Sequence, residues 1–173
     1  MALKIIAAIG LNSELGRNNK LLVKQKEDLS RFEKLTTGHL LIMGRETHES
    51  ILRYRGGAPL DNRKHIVLTG NPDYQSTHED VYIYSSVKDV LHDYKEYGED
   101  EDVWVCGGAQ IYNQFLPYVD EIYLTTFHKV FPDADTFFPQ FEISEWDIIS
   151  NESFGKDENN QYDYNFVTYK RKQ

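Results

Sequence analysis

The sequence predicts an α/β fold: a single domain with a mostly parallel central β-sheet, helices on both faces and an antiparallel C-terminal hairpin. Short apolar runs alternate with segments of helical periodicity through most of the chain, which is typical of a parallel sheet. The last two apolar runs have no helix between them, which indicates strands joined directly. With 173 residues and no repeat or linker, the chain has the length of one domain, residues 1–173.

Strands are predicted where short apolar runs lie between turn signals. The first, residues 3–9, is almost continuously apolar, as expected for a strand buried on both faces. Further strands of this kind are predicted at residues 40–43, 65–68, 81–84, 103–106 and 121–127. The closing pair, residues 146–153 and 162–169, alternates apolar and polar side chains around the loop 155–160, so it should form a hairpin at the sheet edge.

Helices are predicted where apolar residues recur every three or four positions. This pattern occurs at residues 26–36, 45–52, 86–96 and 109–116. The acidic run at residues 99–102 is expected to be a solvated turn before a buried strand.

The composition excludes several classes of protein. A net charge of −9, from 28 acidic and 19 basic side chains, opposes binding to nucleic acid, whose phosphates would be repelled. No targeting segment and no run of about 18 apolar residues occurs, so we expect no membrane contact and a cytoplasmic protein. Cys106 is the single cysteine, which rules out an internal disulfide, and the six histidines lack the spacing of metal ligands.

Two strand-glycine-helix turns could hold a phosphorylated ligand. One contains Gly107 and Gly108, and the other contains Gly44 followed by Arg45 and Thr47. Glycine lets the backbone approach a ligand closely, and a helix N-terminus offers free N–H groups to an anion. The glycine pair alone is more often a tight turn, and Arg45 could simply be an exposed side chain beside an ordinary helix cap. Two such turns in one domain favour a nucleotide with several phosphates.

Asp28 is the candidate anionic group of the site. It shares a helix face with Phe32 and Leu35, and that face should point inward. A carboxylate on an apolar stripe is costly unless it has a partner. Asp28 could equally complement the helix N-terminus together with Glu27, or pair with Arg31 at the surface.

Read together, these segments resemble the dihydrofolate reductase family across almost the whole chain. The matching pieces are residues 5–9, 15–19, 28–32, 42–51, 62–69, 107–112, 122–125 and 135–139. Their order and spacing are those of the family, and the combination is far more specific than any single motif. The resemblance implies the fold of that family and the reduction of 7,8-dihydrofolate to tetrahydrofolate by NADPH, in support of one-carbon metabolism and thymidylate synthesis.

The resemblance also implies the site residues. Asp28 would be the catalytic residue and bind the 2-amino and N3 positions of the pterin with Thr125 supporting it, while Arg63 would bind the α-carboxylate of the glutamate tail. The other implied substrate contacts are Ile6, Ala7, Phe32, Ile51, Leu60, Cys106 and Tyr112. The implied NADPH contacts are Ala8, Leu15, Gly16, Gly44, Arg45, Thr47, Leu68, Thr69, Cys106, Gly107, Gly108, Ala109, Gln110 and Ile111. No metal is implied, and a monomer with a small-molecule substrate is expected.

The chain departs from the family at two places. Leu22 and Val23 stand where the family almost always has Pro-Trp, and His48 stands where many bacterial members have a second Trp. In the family that first Trp holds an ordered water beside the pterin, and a water is the implied proton donor to pterin N5. Val23 has no N–H group in its side chain to hold such a water.

Two other functions remain open at this stage. A pyrimidine reductase of riboflavin synthesis shares the fold and cofactor, although Asp28 and Arg63 favour folate. A non-catalytic nucleotide- or folate-binding homologue is the alternative that the missing Trp supports.

Overall fold

The computed structural model describes residues 1–98 and 101–173. The strands of its central sheet are β1 (Leu3–Ile9), β4 (Leu40–Gly44), β5 (Lys64–Leu68), β6 (Val81–Tyr84), β7 (Val103–Val105), β8 (Glu121–Phe127), β10 (Trp146–Phe154) and β11 (Tyr164–Arg171). The helices are α1 (Lys26–Thr36), α2 (Arg45–Tyr54), α3 (Val87–Gly98) and α4 (Ala109–Phe115). A small second sheet contains β2 (Glu14–Arg17), β3 (Lys20–Leu21) and β9 (Thr136–Phe137).

The central sheet confirms the predicted mixture of parallel and antiparallel pairs. Its strand order is β10-β11-β8-β1-β7-β4-β5-β6. All neighbours from β8 to β6 pair in parallel, whereas β11 is antiparallel to both β8 and β10. Because β7 is inserted between β1 and β4, the carboxyl ends of three parallel strands lie side by side.

Helices cover both faces of this sheet, as predicted. Ile42 lies in a core with residues of α3 and α4, including Val90 and Phe115. Its neighbours Leu41 and Met43 point to the other face, where side chains of α1 and α2 pack. This alternation follows from the two-residue period of a strand, so a continuous apolar run such as β4 contributes to both cores.

The structure differs from the sequence-based prediction mainly in the small second sheet. Its strands are short and mostly polar, and β2 pairs with β9 more than a hundred residues further along the chain, so no local pattern marks it. Glu14 stabilises the loops around this sheet because its buried carboxylate accepts hydrogen bonds from the Asn12 and Phe131 amides, at 2.7 and 2.9 Å.

Several boundaries also shift. Helix α3 begins one residue later than predicted because the Ser86 hydroxyl accepts a hydrogen bond from the Asp89 amide and caps the helix. Cys106 falls after β7, and Leu116 leaves α4 to begin a 3-10 turn that contains Pro117. The prediction of a solvated turn at residues 99–102 lies partly outside the described residues. It is wrong for Asp102, which is half-buried and lies 2.7 Å from Lys4 Nζ.

The start of α1 is held by a distant loop. The N-cap residue Gln25 makes no capping bond; instead the Asn160 side chain accepts a hydrogen bond from the Glu27 amide at 3.1 Å, and the Asn159 carbonyl accepts one from the Lys26 amide at 3.3 Å. In return, Gln25 Oε1 accepts a hydrogen bond from the Tyr162 amide at 2.6 Å. The β10–β11 loop therefore supplies the cap that the local sequence lacks.

Two histidines are buried in contact with the sheet. His48 of α2 and His65 of β5 are 1% and 0% exposed, and their ring centroids are 6.0 Å apart. None of their ring nitrogens has a hydrogen-bond partner in the structure. Burial lowers the pKa of both rings, that of His65 to about 4. The positive charge of a neighbouring histidine lowers each pKa further.

Within the part of the chain described, no helix is long and apolar enough to cross a membrane.

Replacing Asn160 with alanine should destabilise the protein by about 1 kcal/mol, because the first turn of α1 loses its cap. Urea unfolding measures this difference. The matched control is Asn159→Ala, which retains the backbone carbonyl that bonds Lys26. Equal unfolding midpoints for the two variants would contradict the capping role.

The buried histidines should make the fold sensitive to acid. Since the folded-state pKa of His65 lies below its unfolded value, its contribution is present above about pH 6.5 and is lost as the pH falls towards 4. We expect on the order of 2 kcal/mol of stability to be lost between about pH 7 and pH 5, and less in His65→Leu. The control is His92→Gln. His92 is exposed and Asp93 raises its pKa, so this substitution should not reduce the loss of stability at low pH. Urea midpoints that do not change with pH would exclude the mechanism.

Candidate functional site

The two glycine turns predicted from the sequence lie next to each other at the carboxyl edge of the sheet. The Gly44 amide donates a hydrogen bond to the Gly107 carbonyl at 2.8 Å, which extends the pairing of β4 and β7 beyond the end of β7. A Cβ atom on Gly44 would lie 3.0 Å from Ile111 Cγ1, and Gly107 has a φ of 106°. Both positions therefore depend on glycine, one for close packing and the other for its backbone conformation.

The helices that follow these turns begin without a capping side chain. Gly44 is the N-cap of α2 and Gly108 is the N-cap of α4, so their first amides are available to an anion. Thr47 lies near the turn of Gly107 and Gly108, with its hydroxyl 3.6 Å from the position that a Cβ on Gly108 would take. Arg45 Nη1 is 3.1 Å from both carboxylate oxygens of Glu49, so a bound phosphate would compete with that carboxylate.

The other predicted cofactor residues differ in whether a ligand could reach their side chains. Leu68 and Ile111 point into the core, so Leu68 can contribute only backbone, whereas Gln110 is exposed on α4. The Thr69 hydroxyl accepts a hydrogen bond from the Asn71 amide at 3.1 Å. Ala8 and Leu15 line a narrow cleft between β1 and the small sheet. Gly16 lies in β2, and Ala109 is the first residue of α4.

Asp28 lies in the first turn of α1 and points to the sheet. Asp28 is partly exposed to solvent, yet protein atoms surround its carboxyl group on most sides. The carboxyl group therefore lies in a concave part of the protein surface. Burial raises the pKa of this carboxyl, while the neighbouring Thr125 hydroxyl and the positive charge of Arg31 lower it. The structure thus places Thr125 beside Asp28, although the two are far apart in sequence.

An apolar cluster includes Phe32, which lies one helical turn after Asp28 on the same face of α1. Four predicted wall residues, Ile6, Phe32, Ile51 and Leu60, pack in the same cluster as Cys106. The side chain of Ala7 packs on the opposite face of the sheet, so only its backbone can face this cluster.

Tyr112 connects the apolar cluster to the turn of Gly107 and Gly108. Its hydroxyl donates a hydrogen bond to the Ile6 carbonyl at 2.8 Å, and its ring lies against Gly107. Burial raises the pKa of this hydroxyl and that of the Cys106 thiol, so both groups stay protonated and Cys106 is not a nucleophile.

Arg63 lies at the other end of α1 from Asp28. Its Nη1 donates to the Thr36 hydroxyl at 3.0 Å and its Nε donates to the Asp61 carbonyl at 2.9 Å, so the guanidinium is held in place. Thr36 follows Asp28 by eight positions, a rise of about 12 Å along the helix. The helix therefore separates an anionic group and a cationic group by a distance that an elongated ligand could span.

The departures from the family pattern have structural counterparts. Val23 is 7% exposed and packs with Phe127 and Tyr164, with Leu22 beside them. The apolar side chains of this segment cannot hold a water by hydrogen bonding. His48 is the buried histidine of α2 described above, so the position has no indole N–H either.

Sequence reasoning missed the role of Asn160 and understated that of Arg31. Asn160 belongs to a loop that was expected only to join two strands, and no local signal connects it with α1. Pairing of Arg31 with Asp28 at the surface was one open alternative; in the structure Arg31 is half-buried and donates to the Leu124 carbonyl at 3.5 Å. Its position three residues after Asp28 was the available signal.

Chemically, the site combines an anionic group in an apolar hollow with a backbone cradle suited to phosphates. Hydrogen bonds and charge from Asp28 can orient a flat, nitrogen-rich ring, and the glycine turns can bring a dinucleotide alongside it. Among residues 1–98 and 101–173 no group of three His, Cys, Asp or Glu side chains could hold a metal ion.

Known proteins match this chain along its whole length. The dihydrofolate reductase family model matches residues 2–171. Dihydrofolate reductase of Bacillus subtilis is 42% identical over 170 residues, which cover 98% of this chain and 95% of that protein. The enzyme of Haemophilus influenzae is 36% identical over 172 residues, with 99% and 100% covered.

A solved structure is also similar to this chain. Dihydrofolate reductase from Enterococcus faecalis, complexed with NADP(H) and RAB-propyl, superposes with a TM-score of 0.87 at 32% identity and covers 99% of this chain and 97% of its own. The family match, the relatives and the shared fold agree with the carboxylate and glycine turns found in the structure, and this chain belongs to the dihydrofolate reductase family.

Proposed function

We propose that this protein reduces 7,8-dihydrofolate to 5,6,7,8-tetrahydrofolate with NADPH, at a site whose central group is Asp28. The observation that carries the proposal is the position of this carboxylate: it lies beside Thr125, next to an apolar cluster. Membership of the dihydrofolate reductase family agrees with it.

Asp28 binds the pterin ring in this proposal. Its two carboxylate oxygens accept parallel hydrogen bonds from the 2-amino group and N3, a geometry in which charge makes both bonds stronger. Ile6, Phe32 and Ile51 exclude water from the ring, so the negative charge stabilises a cationic pterin more effectively than it would in water. Thr125, whose hydroxyl lies beside the carboxylate, orients it in this proposal.

The two glycine turns hold the cofactor. The uncapped starts of α2 and α4, which follow Gly44 and Gly108, supply amides to the diphosphate. Arg45, Thr47 and Thr69 are the side chains placed to bind phosphate groups. When bound, NADPH supplies the hydride.

Arg63 binds the α-carboxylate of the glutamate tail. Its hydrogen bonds to Thr36 and Asp61 fix the direction of the guanidinium before the ligand arrives, which reduces the entropy lost on binding. The ligand would then extend along α1 from Asp28 to Arg63.

The proton for pterin N5 comes from water in this proposal. Asp28 binds the opposite edge of the pterin, so its role is to hold charge and not to transfer that proton directly. Because Val23 packs among apolar side chains, water must reach N5 without help from a donor at this position.

Mixing the enzyme with NADPH and dihydrofolate tests the activity directly, through the loss of the near-ultraviolet absorbance of the reduced nicotinamide. Turnover with dihydrofolate and none with a ribosylated pyrimidine supports the proposal. Tight binding of both ligands without turnover would instead indicate a binding protein, and turnover of the pyrimidine alone would indicate a reductase of riboflavin synthesis.

Replacing Asp28 with asparagine should abolish most turnover at neutral pH and leave NADPH affinity nearly unchanged, since the variant loses the charge that stabilises the protonated pterin. Steady-state kinetics and calorimetric titration with NADPH measure the two effects. The matched control is Glu27→Gln, which removes an exposed carboxylate from the neighbouring position. An Asp28→Asn enzyme with near-native turnover would refute the proposed role.

Replacing Arg45 with glutamine should weaken NADPH binding by roughly tenfold or more and weaken NADH binding less, because a charged hydrogen bond to a phosphate is lost. Arg53→Gln, at an exposed position of the same helix, is the control. Calorimetry with both cofactors gives the comparison. If the substitution affects the two cofactors equally, Arg45 does not recognise the 2′-phosphate.

A further inference from the structure

Arg31 is held beside the proposed pterin-binding carboxylate by contacts with two strands. It lies three positions after Asp28 in α1, so the two side chains occupy neighbouring positions on the helix surface. Its Nη1 donates to the Leu124 carbonyl of β8 at 3.5 Å, and its guanidinium carbon lies 4.3 Å from the centroid of the Phe166 ring in β11.

These contacts involve the strand positions around Thr125, the residue that lies beside Asp28. Leu124 precedes Thr125 in β8, and Phe166 is directly opposite Thr125 in the pairing of β8 with β11. The guanidinium also lies 5.6 Å from the centroid of Tyr123, which shares a strand face with Thr125. Stacking on aromatic rings holds a planar guanidinium in one orientation, so its charge has a defined position relative to the carboxylate.

We propose that Arg31 is a positioning residue, whose held positive charge keeps the Asp28 carboxylate ionised and thereby sets the lower pH limit of substrate binding. This proposal rests on the proposed function of Asp28. The apolar cluster beside Asp28 is suited to the flat pterin ring, but it removes water that would otherwise stabilise the carboxylate. A fixed cation one helical turn away offsets that cost without occupying the hydrogen-bonding positions that the pterin needs.

The other groups around Asp28 and Arg31 do not replace this charge. The facing groups from the packed elements are Tyr112 of α4, Tyr123 of β8, Tyr164 of β11 and Glu152 of β10. The pKa of each of these three tyrosines is raised, mainly by burial, so they stay neutral at physiological pH. Glu152 is anionic and acts on Arg31, whose pKa burial lowers and Asp28 raises. Arg31 is therefore the cation that acts directly on this carboxylate.

The decisive variant is Arg31→Met, which retains an unbranched stem over Phe166 and removes the charge. The titration of the Asp28 carboxyl, followed by NMR of aspartate-labelled protein and assigned with Asp28→Asn, should move to higher pH. The acidic limb of kcat/KM for dihydrofolate should move in the same direction, with a loss of roughly threefold to tenfold at about pH 5.5 and little loss at about pH 8. The loss should appear in KM more than in kcat.

Two further variants separate charge from structure. Arg31→Lys keeps the charge and should restore the titration close to that of the parent protein. Lys34→Met removes an exposed charge from the same helix and should leave the titration unchanged. If Arg31→Met does not fold, as judged by its near-ultraviolet circular dichroism, Arg31→Gln takes its place.

An unmoved Asp28 titration in the uncharged variant would overturn the proposal, and so would an equal shift in Lys34→Met or in Arg31→Lys. The NMR titration needs no turnover. A shifted titration in a protein that does not reduce dihydrofolate would therefore uphold the effect of Arg31 on the carboxyl while refuting the proposed function.

Discussion

The hydrogen bond from the Gly44 amide to the Gly107 carbonyl joins the two halves of the site. It joins the last residue of β4 to a residue just beyond the end of β7, and so places the starts of α2 and α4 side by side. This proximity depends on the insertion of β7 between β1 and β4. Ligand sites at the carboxyl ends of parallel strands arise in this way because the strand ends and helix starts meet at one edge.

Asp28 illustrates the opposing requirements of the pterin site. An apolar hollow strengthens the hydrogen bonds between carboxylate and ligand, yet it also favours the protonated carboxyl. Thr125 and the charge of Arg31 counter that effect, and each is held by the pairing of β8 with β11. The start of the helix itself depends on Asn160 from the loop between β10 and β11. The C-terminal hairpin, which carries none of the predicted contact residues, thus supports the central residue of the site.

The histidines of α2 and β5 show how polar rings inside a core make its stability depend on pH. His48 and His65 bury four ring nitrogens without partners, which costs free energy that an apolar or indole side chain would not cost in the same way. The protein therefore relies on the neutral form of both rings. This dependence could not be recognised from the sequence, in which the six histidines are merely scattered.

The sequence by itself determined the fold class, most strand and helix positions, the hairpin and the two glycine turns. These features follow from local periodicity and from residues such as glycine whose backbone properties are intrinsic. Only the tertiary structure decided that Arg31 packs against β8 and β11, that Asn160 caps α1, that Arg45 pairs with Glu49, and that β2 and β9 form a second sheet. Contacts of this kind join residues by packing and hydrogen bonding across the fold, and neither leaves a periodic signal in the chain.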